Sequence, residues 1–138
     1  KTQYWQREIM NKMYRNNIDG LCGNEDCGQM SAWYIFSALG FYPVCPGTDQ
    51  YVLGAPYLPY IKLNLENGNT FEVKAPKVSD KNRYVKSVKW NGKPYDKGFI
   101  TQQDIMNGGV LEFEMSPKPN KKRLFTGDNQ PYSLTQAE

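Results

Sequence analysis

The residues best suited to chemistry lie in a short acidic loop, Asn24-Glu25-Asp26, which is bracketed by Gly23 and Gly28. Carboxylates are common general acids and bases, and an adjacent amide can orient a water molecule. In a simpler interpretation, Asp26 only caps the helix predicted to follow. The loop is not an EF-hand, because its acidic residues do not fall at the alternating positions of a calcium loop. A catalytic and a structural role are therefore both compatible with this loop.

The chain contains no histidine. This excludes Ser-His pairs, Cys-His pairs and histidine-containing zinc sites built from these residues alone. The three cysteines, Cys22, Cys27 and Cys45, are an odd number, so a complete internal disulfide framework is impossible. A Cys22–Cys27 bridge is allowed, but we expect each thiol to be a small buried packing residue. Any bound metal would be a hard cation held by oxygen.

The length and composition predict one domain, because 138 residues with 39% hydrophobic and 14% aromatic side chains can build a core. The net charge of +3 is partly concentrated in a late basic run. We interpret this run as a solvated tail and predict no nucleic-acid partner. No run of 18 apolar residues occurs, so no membrane span is predicted. The chain starts at Lys1, and we favour excision from a longer protein over processing.

A first helix is predicted from Tyr4 to Tyr14, where Trp5, Ile9 and Met13 repeat at helical spacing. A favourable i, i+4 pair, Glu8 with Lys12, supports it.

A second helix is predicted from Cys27 to Leu39, with Asp26 as N-cap, Gln29 completing a capping box and Gly40 as the stop. Its apolar residues point in every direction: Met30, Ala32, Trp33, Tyr34, Ile35, Phe36, Ala38 and Leu39. This pattern is typical of a helix that is buried on all sides. We expect its cover to come from upstream parts of the same protein, or from a homodimer formed through the exposed apolar helix. We assign its aromatic residues to the core.

The sequence after Pro46 changes to an alternating pattern that predicts strands. Two hairpins are predicted around Asn67-Gly68 and Asn91-Gly92, followed by a helical turn at 101–107 and a last strand at 111–115. We divide the chain into a helical segment with the acidic loop (1–47), an antiparallel sheet region (48–116) and a loosely ordered tail (117–138). The predicted fold class is α+β, with two N-terminal helices packed on a mainly antiparallel sheet. The alternative is a small β-sandwich preceded by helices of an α/α barrel.

The stretch GLCGNEDCGQMSAWYIFSALGFYPVCPG, residues 20–47, resembles the C-terminal signature of glycoside hydrolase family 92, the calcium-dependent exo-α-mannosidases. The similarity extends from about Tyr4 to Asn120 through YVLGAPYLPYIKLNLENGNTFEV, SVKWNGKPY and ITQQDIMNGGVLEFEMSPKPN. The resemblance implies inverting hydrolysis of terminal α-linked mannose, with α-1,2-linked mannose of glycans such as N-glycans as the expected substrate. It also implies a secreted or periplasmic bacterial enzyme.

An inverting glycosidase needs an acid and a base separated by roughly 6.5 to 9.5 Å. Glu25 and Asp26 are neighbours with Cα atoms about 3.8 Å apart, so they are poorly placed to flank one sugar. The resemblance implies that the general acid is a glutamate upstream of these residues and that Asp26 is the general base. Some relatives carry a second aspartate at the position of Asn24. In this chain, we expect Asn24 to orient the attacking water. Glu25 is the next candidate.

The resemblance further implies a calcium ion that helps to bind and distort the mannose, with ligands mostly outside this chain. We expect the parent protein to be active and the isolated 138 residues to be inactive. The alternative function is a non-catalytic carbohydrate-binding or structural module, in which the acidic loop is only a helix cap.

Overall fold

The computed structural model describes residues 1–136. The elements within this range are α1 (Thr2–Met13), α2 (Gln29–Leu39), β1 (Phe41–Tyr42), β2 (Gln50–Leu53), β3 (Tyr60–Asn64), β4 (Thr70–Lys74), β5 (Tyr84–Trp90), β6 (Lys93–Pro94), β7 (Phe99–Thr101), α3 (Gln102–Asn107) and β8 (Gly109–Ser116). Short 3₁₀ helices lie at Asp26–Gly28, Gly127–Asn129 and Leu134–Gln136.

The strands form two sheets, which confirms the predicted α+β class. One sheet has three antiparallel strands in the order β1-β2-β7, and the other has five strands in the order β3-β4-β8-β5-β6. In the larger sheet, β8 runs parallel to β4 and antiparallel to β5. Both predicted hairpins are confirmed, as β3–β4 and β5–β6. The second turn has Asn91 at φ 50° and Gly92 at φ 79°, as expected for an Asn-Gly hairpin turn.

The core lies where the two sheets meet. Phe41 of β1 packs edge-on against Phe71 of β4, with ring centroids 5.9 Å apart. Ile100 of β7 and Leu111 of β8 are fully buried in the same cluster. The alternation of apolar and polar residues in β4 and β8 therefore places one face of the larger sheet in the core.

Helix α1 is attached to this core by a buried cation. The guanidinium of Arg7 donates a hydrogen bond to the Pro56 carbonyl at 3.0 Å and lies 4.3 Å from the ring centroid of Tyr57. Burial lowers the pKa of Arg7. On the same helix, Glu8 forms ion pairs at 2.7 Å both with Lys12, as predicted, and with Arg83 at the start of β5. Polar contacts thus fix α1 on the sheet.

The apolar row of α1 and part of α2 lie at the surface of the described chain. Trp5 is 59% exposed and Met13 is 49% exposed, whereas the buried α1 residues are Arg7 and Met10. In α2, Ser37, Ala38 and Leu39 are buried, but Ile35 is 60% exposed. The described residues alone therefore do not bury α2 on all sides.

The segment after β8 is held against the rest of the structure by hydrogen bonds of its backbone. The amide of Gly98 donates to the Asn129 carbonyl at 2.8 Å, and the amide of Tyr132 donates to Oε1 of Gln50 at 2.8 Å. Residues 137 and 138, which the predicted tail includes, lie outside the described residues. Across residues 1–136, no helix has the length and apolar character that crossing a membrane requires.

Candidate active site

A tight turn after α1 returns the chain toward α2 and so positions the acidic loop. The amide of Arg15 donates to the Gly20 carbonyl at 2.9 Å, and the amide of Gly20 donates to the Asn17 carbonyl at 3.1 Å. Tyr14 and Leu21 then form an isolated antiparallel bridge. A Cβ atom at position 20 would lie 2.0 Å from the Arg15 carbonyl oxygen, so this close approach requires glycine.

The acidic loop enters α2 through two consecutive left-handed residues. Asp26–Gly28 form a 3₁₀ turn in which Cys27 has φ 56°, and Gly28, the N-cap of α2, has φ 80°. A left-handed conformation at a non-glycine residue costs of order 1 to 3 kcal/mol. The prediction of Asp26 as N-cap and Gln29 as its capping-box partner is wrong, because the helix begins at Gln29 after this reversal. Among the described residues, the Asp26 carboxylate therefore accepts no hydrogen bond from the first amides of the helix.

Glu25 caps the helix instead. Its Oε1 accepts a hydrogen bond from the Ser31 amide at 3.1 Å, and its main-chain carbonyl accepts one from the Gln29 amide at 2.9 Å. Its other carboxylate oxygen, Oε2, is buried and has no hydrogen-bond partner among residues 1–136. A buried carboxylate oxygen without a partner carries a desolvation cost. The Glu25 carboxylate is therefore directed to a backbone amide on at least one side.

Asp26 and Asn24 are placed differently from Glu25. Both are exposed. Within the described part of the chain, the Asp26 carboxylate has neither a hydrogen-bond nor an ion-pair partner. A carboxylate that is accessible and unpaired can accept a proton from a water molecule. The three predicted site residues thus share one loop, but only Glu25 is held by a side-chain hydrogen bond.

An aromatic cluster supports the loop from the helix side. The Tyr14 ring stacks on Trp33 with centroids 5.7 Å apart and lies 4.9 Å from the Tyr34 ring. The Tyr14 hydroxyl donates to the Met30 carbonyl at 3.0 Å. Burial, with smaller effects from nearby groups that include Glu25, raises the pKa of Tyr14. Tyr14 belongs to no motif of the sequence, although an aromatic residue just after a helix and close to a glycine turn is a usable signal.

A groove of about 410 Å³ lies beside this cluster and is lined by Tyr14, Arg15, Asn16, Leu21, Ser31, Tyr34 and Ile35. The groove therefore includes Ser31, the α2 residue whose amide donates a hydrogen bond to Glu25 of the acidic loop.

The cysteines do not take the places predicted for them. All three are free thiols, Cys22 and Cys27 are exposed, and Cys45 is half-buried. The prediction of buried packing residues is wrong, because the first two belong to a loop that projects from the core. The permitted Cys22–Cys27 bridge is not formed.

The acidic loop offers only part of what a calcium site needs. Asn24, Glu25 and Asp26 offer oxygen ligands of the type calcium prefers. Across residues 1–136, however, no group of three or more acidic, cysteine or histidine side chains is close enough to hold a metal ion. One oxygen of Glu25 is already bonded to the Ser31 amide. The described residues therefore do not form a complete calcium site.

The proteins to which this chain is similar include mannosidases and a glycosidase by name. A solved family GH92 inverting mannosidase from Bacteroides thetaiotaomicron has a TM-score of 0.89 and 39% identity, over 97% of this chain and 18% of that chain. A family GH92 α-mannosidase from the same organism, in complex with mannoimidazole, has a TM-score of 0.89 and 46% identity, over 96% of this chain and 17% of that chain.

An uncharacterized secreted glycosidase of Arthroderma benhamiae is 28% identical over 105 residues, which are 74% of this chain and 14% of that protein. The chain thus spans less than a fifth of the length of these relatives. Residues 1–117 match the family profile described as the glycosyl hydrolase family 92 catalytic domain. Because this match covers most of the sequence, the chain belongs to glycosyl hydrolase family 92.

Proposed function

We propose that this chain is the part of an exo-acting, inverting α-mannosidase that supplies Asp26 as the general base. The observation that carries the proposal is the contrast within the loop. The Asp26 carboxylate is exposed and, among the described residues, has no hydrogen-bond or ion-pair partner, whereas the carboxylate of the adjacent Glu25 is bonded to the Ser31 amide. The names of the similar structures, an inverting mannosidase and an α-mannosidase, support the reaction class.

In this reaction, the Asp26 carboxylate takes a proton from a water molecule as the water oxygen bonds to the anomeric carbon. The bond to the leaving oxygen breaks, and a second carboxyl group, on the opposite face of the sugar, gives that oxygen its proton. Glu25 does not suit the second role, because it adjoins Asp26 and is turned toward the helix. We therefore place the general acid upstream of these residues and give Asn24 the role of orienting the water.

The substrate, cofactor and location belong to the same proposal. We propose α-1,2-linked mannose of glycans such as N-glycans as the substrate, and calcium as a cofactor whose ligands lie mostly outside these residues. We propose a secreted or periplasmic bacterial enzyme; the name of one relative, an uncharacterized secreted glycosidase, supports secretion. Upstream domains of the same protein, or a second copy, would cover the exposed side of α2.

The test compares variants of the parent protein in an α-mannosidase assay with calcium. Asp26→Asn should lower kcat by about 10²- to 10⁴-fold, because a positioned base contributes rate enhancements of that order. Asn24→Ala should have a smaller effect. Asp19→Asn, an exposed acidic residue in the same connection, is the matched control and should retain normal turnover. Near-normal turnover of Asp26→Asn would overturn the assignment of the base.

The alternative function, a non-catalytic carbohydrate-binding or structural module, is favoured for the isolated chain. Only one of the two loop carboxylates is free of a hydrogen bond among the described residues, so the loop itself supplies no acid partner for Asp26. We expect no hydrolysis by this chain on its own. Calorimetric titration with mannose separates the alternatives, since binding without turnover supports the module. Full activity of the isolated chain would refute the proposed upstream acid.

A further inference from the structure

We infer that Glu25 is a positioning residue that fixes the loop backbone so that Asp26 stays available as the base. This inference rests on the proposed function of Asp26 and adds a role for its neighbour. Glu25 would contact neither the sugar nor the attacking water. It would act through the conformation of the turn that follows it.

Glu25 binds the chain at two points beyond that turn. Its carbonyl accepts from the Gln29 amide at 2.9 Å, and its Oε1 accepts from the Ser31 amide at 3.1 Å. The two bonds enclose Asp26, which therefore lies inside a loop that Glu25 closes. A change in either bond changes the backbone from which the Asp26 carboxylate projects.

The enclosed turn needs such support. Cys27 has a left-handed backbone at φ 56° although it carries a side chain, and Gly28 follows at φ 80°. A conformation of this kind persists at a non-glycine residue only when its surroundings determine it. Among the described residues, the Glu25–Ser31 contact is the one side-chain hydrogen bond that joins the two ends of this turn. Its loss should allow Asp26–Gly28 to relax.

The alternative reading of Glu25 as a second catalytic carboxylate fits the contacts less well. Glu25 is half-buried and its Oε1 is bonded to the Ser31 amide, whereas Asp26 is exposed and its carboxylate has no partner among residues 1–136. A residue that acted on the substrate directly would need an accessible oxygen. The buried Oε2 of Glu25 does not provide one within this chain.

The first experiment measures kcat and KM for Glu25 variants of the parent enzyme. Glu25→Ala should lower kcat by about 10- to 100-fold with KM changed less than about threefold, since a misplaced base slows chemistry more than binding. Glu25→Gln keeps an acceptor oxygen and should stay within about threefold of the wild-type kcat. If Gln is as poor as Ala, the charge or Oε2 is needed instead, and the inference is overturned.

A second variant removes the donor and leaves Glu25 intact. Ser31→Pro deletes the amide hydrogen of the third residue of α2, in the first turn, where backbone amides have no intrahelical acceptor. It should lower kcat by the same factor of about 10 to 100, so it tests the inference even if Glu25→Ala does not fold. A wild-type kcat for Ser31→Pro would contradict the inference.

A matched control removes a comparable cap elsewhere. Thr101 accepts from the Asp104 amide at 3.1 Å in a complete capping box of α3. Thr101→Ala should lower the melting temperature as a cap loss does, without changing kcat. All rates are measured well below each variant's melting temperature. An equal kcat loss in Thr101→Ala would show that the Glu25 effect is only general destabilisation.

The double variant separates this inference from the proposed function. If Glu25 acts through Asp26, then adding Glu25→Ala to Asp26→Asn should lower kcat less than about twofold further. Multiplied effects would overturn the positioning role while leaving Asp26 as the base. A normal kcat in Asp26→Asn alone would refute the proposed function itself.

Discussion

Replacing Phe71 by alanine should destabilise the fold by an amount that the structure allows us to estimate. Phe71 is 0% exposed, and its ring lies 5.9 Å from Phe41 and 5.8 Å from Trp90. Strand β4 is hydrogen-bonded on both sides, by β3 and β8, so the backbone cannot move inward to fill the cavity. Phe→Ala changes in cores cost about 3 to 5 kcal/mol, and we expect the upper half of that range here.

Urea unfolding followed by tryptophan fluorescence measures this effect, since Trp90 lies beside the cavity. With an m-value of about 2 kcal/mol/M, the midpoint should fall by about 2 M at unchanged m. Tyr60→Ala on the neighbouring strand β3 is the control, because Tyr60 is 51% exposed and its loss should cost less than about 0.5 kcal/mol. A loss below about 1 kcal/mol for Phe71→Ala would refute the claim that the two sheets form one tightly packed core.

Further variants test other contacts. Gly20→Ala should lower the free energy of unfolding by about 1 to 3 kcal/mol in thermal unfolding, because its Cβ would lie 2.0 Å from the Arg15 carbonyl oxygen. Gly23→Ala is the control, because its Cβ would make only an ordinary contact at 3.6 Å. An equal loss of stability in Gly23→Ala would contradict this reason. Hydrogen bonds from two cations lower the pKa of Glu8. The stabilising effect of Glu8 should be complete above the unfolded carboxyl pKa of about 4.3 and should be lost as the pH falls through the lowered folded-state pKa, so wild type and Glu8→Gln should converge in acid unfolding curves. Burial raises the pKa of Tyr95 to about 12. Stability should fall as the pH rises from about 10 toward that value, and Tyr95→Phe should make this slope smaller in alkaline unfolding.

Local patterns were sufficient to predict the hairpins and the third helix. Asn67-Gly68 and Asn91-Gly92 carry their own turn geometry, and Thr101 with Asp104 forms a capping box from residues three apart. The parallel pairing of β8 with β4 was not predicted, because it joins residues far apart in sequence. No local pattern in either strand predicts which strand it pairs with. The small sheet was missed for the same reason, since its strands are short and their partners are distant.

Prediction of the roles of single residues in the acidic loop was limited in the same way. The sequence located Asn24, Glu25 and Asp26 correctly on one loop before α2. It did not reveal which carboxylate caps the helix, because that depends on the left-handed backbone at Cys27. A cysteine carries no local signal for that conformation, whereas glycine does. The cap therefore belongs to Glu25 rather than Asp26.

The central position of β8 has a consequence for how the protein folds during synthesis. The β3–β4 and β5–β6 hairpins are complete by residue 94, but the strand that joins them does not begin until Gly109. Until that strand has left the ribosome, the facing edges of both hairpins have unpaired backbone groups. Such edges invite pairing with other chains, so this interval is when the nascent protein is most prone to aggregate. A chain stalled before Gly109 has emerged from the ribosome should be a target for chaperones. A chain stalled after Ser116 has emerged should be able to complete the sheet.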